Sequence, residues 1–168
     1  VPEIIYGFGL SGGYKNFDLS FFFQGQDRVS FFIDPNGRRD WYLQGIAPFA
    51  GHRGALKIIA DDHWSPNNPV SHAFWPRLSA NINYNNSIQN STWWLRNGQF
   101  LRLKTVEIGY MLPSKWFKPI SFSQVRFYFT GQNLINFSKF KLWDTEMGGN
   151  GLAYPLQRVY NIGLNVTF

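Results

Sequence analysis

Three histidines, His52, His63 and His72, share one stretch with Asp61 and Asp62, and these side-chain types bind metals. Their spacings match no compact ligand motif, so they read as solvated loop residues and no metal is expected. Asp34-Pro35-Asn36-Gly37 offers oxygen ligands but lacks the remaining positions of a calcium loop, and reads as a plain turn. Asp144 and Glu146 could be imagined as the paired carboxylates of a hydrolase. They stand two apart on a Gly-rich loop beside no other acid. No Gly-x-Ser-x-Gly, phosphate loop or dinucleotide fingerprint occurs. With no cysteine, a thiolate nucleophile, a zinc–thiolate site and a disulfide framework are excluded. No enzyme activity and no cofactor are expected.

Binding chemistry remains. Trp41, Tyr42, Trp64, Trp75, Trp93 and Trp94 fall outside or at the rim of the regular segments. Aromatic faces stack on sugar rings and pack against partner proteins. The competing reading is that they fold their loop onto itself, or anchor at lipid headgroups, Trp93 and Trp94 especially. A second set is polar and alternates with apolar neighbours: Asp18, Gln24, Gln26, Arg102, Lys104, Arg126, Gln132 and Asn161. Arg102 and Lys104 stand out as contacts for a solute or another domain, with structural salt bridging as the alternative. The net charge is +6, but Lys and Arg are scattered and form no basic stripe, so nucleic acid is not an expected partner.

The elements that position these residues follow from period-2 alternation. Tyr6, Phe8, Leu10 and Tyr14 alternate with Gly7, Gly9, Ser11 and Gly13, and Lys15-Asn16 makes a tight turn. Phe17, Leu19, Phe21 and Phe23 then oppose Asp18, Ser20, Phe22 and Gln24. Turn and loop residues dominate from about Arg28 to Gly98, with a short helix or strand over 56–61. Alternation returns at Phe100 and flips phase near Lys104-Thr105, which predicts a β-bulge. Val125, Phe127 and Phe129 oppose Arg126, Tyr128, Thr130 and Gln132, and a Gly-rich loop comes next. Tyr160, Ile162, Leu164, Val166 and Phe168 form one face of the last run. The expected strands are 4–14, 17–27, 99–112, 125–137 and 158–168, with long loops at 28–98 and 138–157.

The chain has 168 residues, of which 44% are hydrophobic, 19% aromatic and only 15% charged. Length allows one ordinary domain with a core, but charge is low against the usual quarter. No apolar run approaches the ~18 residues of a membrane helix. Strands of roughly 10 residues with one apolar, aromatic-tipped face suit a bilayer crossed at a tilt. Short turns at 15–16 and 114–124 alternate with the two long loops, as in a membrane barrel. A soluble sandwich has strands of the same kind but no reason to sort its connections by length. The expected fold is all-β: an antiparallel transmembrane β-barrel segment. The alternative is a secreted soluble β-domain that binds carbohydrate through its loop tryptophans.

The final run ending on Phe168 looks like the assembly signal read by the outer-membrane barrel-insertion machinery. Longer stretches resemble one family. They are Gly7-Phe8-Gly9-Leu10 with 14–25, then Asp62-His63-Trp64-Ser65-Pro66-Asn67-Asn68-Pro69 and Trp75-Pro76-Arg77-Leu78. Next come Phe100-Leu101-Arg102-Leu103-Lys104 with Ile108-Gly109-Tyr110-Met111-Leu112-Pro113, then Gly131-Gln132-Asn133-Leu134 and Gly163-Leu164-Asn165-Val166-Thr167-Phe168. In this order they resemble the C-terminal barrel segment of SusC/RagA-type TonB-dependent outer-membrane transporters of Bacteroidetes. Asn67 stands where that family usually has an acid.

The resemblance implies about five strands of a roughly 22-stranded barrel, with no plug domain in residues 1–168. It implies import of glycans or other oligomeric nutrients across the cell outer membrane. The partners it implies are the rest of the barrel and its plug, a SusD-like surface lipoprotein, the TonB complex through a missing N-terminal part, the barrel-assembly machinery and outer-membrane lipid. Five strands leave open edges, so the chain reads as a fragment. Phe168 at the periplasmic end would make the two long loops extracellular. Within this scheme Trp41, Tyr42, Trp64 and Trp75 are candidates for substrate or lipoprotein contact. Arg102, Lys104, Arg126 and Gln132 are candidates for the lumen or plug.

Overall fold

The computed structural model describes residues 1–33, 57–77, 91–116, 122–149, 151 and 154–168. It divides into two compact units, one comprising Val1–Ser30, Asn97–Glu146 and Tyr154–Phe168, the other Phe31–Arg96 and Met147–Ala153.

The first unit is built on five long strands: β1 (Ile4–Tyr14), β2 (Phe17–Asp27), β5 (Phe100–Met111), β6 (Gln124–Ser138) and β7 (Val159–Thr167). Two short strands, β3 (Ser30–Phe32) and β4 (Leu95–Asn97), pair separately. The long strands form one sheet in the order β1-β2-β5-β6-β7, antiparallel throughout. β1 and β2 are joined through Lys15, whose φ of 54° suits the tight, right-twisting connection of a hairpin. Pro113 lies just beyond β5, since proline cannot donate to the ladder. The bulge lies at Lys104: Phe22 and Phe23 are consecutive on β2, yet face Thr105 and Leu103. One extra residue in β5 changes which parity points to which face, which is why the apolar pattern flips there.

The registers assemble these alternations into two continuous faces. On one, Tyr14, Phe17, Tyr110 and Phe127 form an aromatic row across four strands, and Leu164 extends it onto β7. The next row inward is Leu19, Ile108, Phe129 and Ile162; further along come Phe8, Phe23, Leu103 and Ile135. Ring pairs tie neighbouring strands: Phe17–Tyr110 at 4.5 Å and Phe8–Phe23 at 5.3 Å between centroids. Among the described residues no protein layer covers this face, and Leu10 (67%) and Ile162 (83%) are largely exposed. A contiguous apolar surface of this kind is not stable against water and requires lipid or a partner. Eleven residues of β1 or β2 at about 3.4 Å each reach about 37 Å, which a tilt of about 45° reduces to about 26 Å, close to a membrane barrel's apolar band.

Antiparallel order also fixes the ends. The 15–16 turn, the 112–123 connection and Phe168 share one end of the sheet; the 28–99 and 139–158 connections leave from the other. The sheet is open, with β1 and β7 as its edges. Among the described residues, no helix is long and apolar enough to cross a membrane.

The second unit has a small core of its own: Ile33, Ile59 on the single helical turn α1 (Lys57–Asp61), Ala73, Trp75 and Trp94. The backbone of Trp64 and Trp75 pairs at 3.0 Å, which brings these two tryptophans' chain segments together.

Candidate functional site: the polar face of the sheet

Behind the apolar face, the alternate residues carry polar and small side chains. Three rows matter. Asp18, Gly109, Tyr128 and Gly163 form the first; Ser20, Glu107, Thr130 and Asn161 the second; Gln24, Arg102 and Asn136 the third. The bulge keeps Arg102 and Glu107 on one face despite their odd separation.

Arg126 enters this face from β6. Its Nε donates to Asp18 Oδ1 at 3.0 Å and its Nη2 donates to Glu107 Oε1 at 2.6 Å, with Nη2 also bonded to Asp18 Oδ2. The guanidinium spans β5 to reach β2, and the space is the missing side chain of Gly109. Both carboxylates remain part-exposed, so the triad presents a net negative, hydrated surface. Tyr128 lies over Gly163 of the next strand, and Phe22 over Gly7 and Gly9, so bare strand backbone is covered by neighbouring rings. Asn161 Nδ2 donates to Thr130 Oγ1 at 3.3 Å.

Arg102 behaves differently. It is 2% exposed, its Nη2 donates to both oxygens of Asp144 at 2.5 and 2.6 Å, and its Nε lies 3.0 Å from Glu146 Oε2. Asp144 and Glu146 are therefore countered by one cation. As placed, Arg102 is enclosed by its own chain. Lys104 occupies the bulge and is half-buried; Gln132 is exposed opposite Thr105.

The loop aromatics separate in the same way. Trp41 and Tyr42 lie outside the described residues, as do His52 and the 34–37 turn. Trp75 is 6% exposed and packs at 5.0 Å on Phe74 and 6.1 Å on Trp94, so it folds the loop on itself and offers no stacking face. Trp64 is half-buried. Trp93 is 42% exposed, its indole N–H donating to the Phe74 carbonyl at 3.2 Å, while Arg96 lies 4.2 Å over the Phe74 ring. Among the described residues no group of acidic and histidine side chains could hold a metal.

Sequence reasoning did not find Glu107, Gly109 or the Arg102 partners as a site. Glu107 and Gly109 were legible as polar-phase residues, but their meeting with Arg126 depends on the register between strands.

No protein-family model matches the chain. A TonB-dependent receptor of Formosa agariphila, P26, is 33% identical over the whole chain, and a second, P3, is 26% identical over 99% of it. The chain matches a β-barrel segment of TonB-dependent receptors. It spans about one-sixth of the length of these curated relatives, 17% and 16% respectively. Among solved structures, the RagAB peptide importer in its open-open state shares 26% identity at a TM-score of 0.68, with all of this chain and 17% of that one covered. The closed-closed state gives 24% and a TM-score of 0.70, over 100% and 17%. These relatives are receptors and transporters rather than enzymes. The five-stranded open sheet is thus similar to one part of the β-barrel of TonB-dependent receptors.

Proposed function

We propose that this chain contributes five strands and two outward loops to a TonB-dependent importer of glycans or other oligomeric nutrients in the outer membrane. The carrying observation is the pair of continuous faces: rows of Phe, Tyr, Leu and Ile on one side, the Asp18–Arg126–Glu107 triad on the other. The first suits lipid, the second a wet lumen. The 28–99 and 139–158 connections face the exterior, where they meet solute and a SusD-like lipoprotein. The plug, the TonB-contacting segment and the remaining strands belong to the rest of the receptor, and Arg126, Lys104 and Gln132 face that plug. The row Tyr160, Ile162, Leu164, Val166 and Phe168 is the stretch read by the barrel-assembly machinery. Peptides are a second substrate class, favoured by the likeness to RagAB. A soluble carbohydrate-binding domain is disfavoured, because it would leave the apolar face in water.

The test is complementation of a strain lacking the full-length receptor. Cells receive a dextrin ladder and a tryptic peptide digest, and depletion of each is followed by mass spectrometry. Receptor-dependent loss of one class names the substrate. Extraction of the full-length receptor into buffer without detergent would overturn the membrane reading.

A further inference from the structure

We propose that residues 139–146 form a fixed shelf folded inward over the polar face of the wall, latched by Arg102, so that solute meets the shelf rather than the strands beneath it. The inference rests on the polar face being the lumen side. Two tethers carry it, both to side chains of that face. Arg102, in register with Gln24 and Asn136, is gripped by Asp144 and Glu146. Asn136 Nδ2 donates to Thr145 Oγ1 at 3.4 Å.

The shelf is also stiffened internally. The Glu146 N–H donates to Asp144 Oδ1 at 3.0 Å, so the carboxylate that holds Arg102 also caps the 3-10 turn Thr145–Met147. Phe140 and Trp143 meet edge to face at 4.8 Å, and Ser138 Oγ donates to the Phe140 carbonyl at 2.5 Å. Arg102 and Thr145 are each 2% exposed, Phe100 5% and Phe140 7%, which marks a packed layer rather than a loose loop. Lys139 and Lys141 are exposed on this segment and Trp143 is half-buried. A cationic and aromatic surface recognises anionic or ring-bearing oligomers. The shelf is thus a specificity-determining surface at the long-loop end of the wall.

The test uses Asn136→Cys with Thr145→Cys in the full-length receptor; this segment has no cysteine to compete. The pair is expected to cross-link in intact cells, and depletion of the dextrin ladder and peptide digest to be the same oxidised and reduced. Arg102→Gln is expected to reduce the cross-link and to raise amide exchange over 140–146 more than about tenfold, because a buried pair is lost and local opening results. Absence of the cross-link, or unchanged exchange in Arg102→Gln, overturns the latch. Import lost on oxidation and restored by reduction overturns its fixity and makes the segment a moving gate. Should the receptor fail to deplete either probe, the importer reading fails while the cross-link and exchange still report on the latch.

Discussion

Arg126 and Asp18 sit on strands that are not neighbours, yet their side chains are bonded, Nε to Oδ1 at 3.0 Å. The bond crosses β5 at Gly109, where any Cβ would collide with the guanidinium and the carboxylate. Gly109 is therefore a notch, and its lack of a side chain is what couples β2 to β6.

Gly109→Ala is expected to displace the guanidinium and destabilise the folded receptor by about 1 kcal/mol, most of it the lost charged hydrogen bonds. In an Arg126→Gln background the same change costs less, since only the freed Asp18 carboxylate remains to be displaced. A double-mutant cycle on denaturant midpoints reads the difference; additive effects would show that the glycine serves something else.

The two arginines should respond differently to salt. Arg126 faces part-exposed carboxylates, so Arg126→Gln costs about 0.2–1 kcal/mol per pair and less at high ionic strength. Arg102 is enclosed with Asp144 and Glu146, so Arg102→Gln costs about 3 kcal/mol and is nearly independent of salt. Urea titrations of the full-length receptor in dilute and molar salt separate the cases.

For the second unit, Trp75→Ala removes a ring that is 6% exposed and is expected to cost about 3–5 kcal/mol, opening 57–77 to protease. Trp93→Ala, at 42% exposure, leaves protease resistance almost unchanged. Limited proteolysis of both variants reads this directly, and equal sensitivity would contradict the packing described.

Charge on the two faces should have unequal effects. Val106→Arg, opposite Phe21 at mid-strand, enters the apolar face and is expected to cost about 2–4 kcal/mol of folding into a bilayer near its midplane. Thr130→Arg enters the polar face and is close to neutral. Folded yield in lipid vesicles, read as heat-modifiable gel mobility, distinguishes them.

The sequence by itself determined the strands, because period-2 alternation is a property of consecutive residues: Phe17, Leu19, Phe21 and Phe23 declare their common face without reference to any partner. It also placed the bulge, since an extra residue at Lys104 must flip the phase of every later position in the strand. Composition and the ordered motifs further pointed to a membrane barrel wall of the TonB-dependent type. Tertiary structure alone decided who meets whom. β2 joins β5 across some 70 residues of chain, and only the inter-strand register puts Gly109 between Arg126 and Asp18. Likewise Asp144 and Glu146 read as an acidic pair in a loop until the fold laid that loop over Arg102. Trp75 read as a substrate or lipoprotein contact and Trp93 as a headgroup anchor, and only packing buried the first and left the second exposed. The division has one physical cause: a strand's faces are set by the backbone's own pleat, whereas a charged side chain's partner depends on register and loop path, which residues far apart in sequence set together.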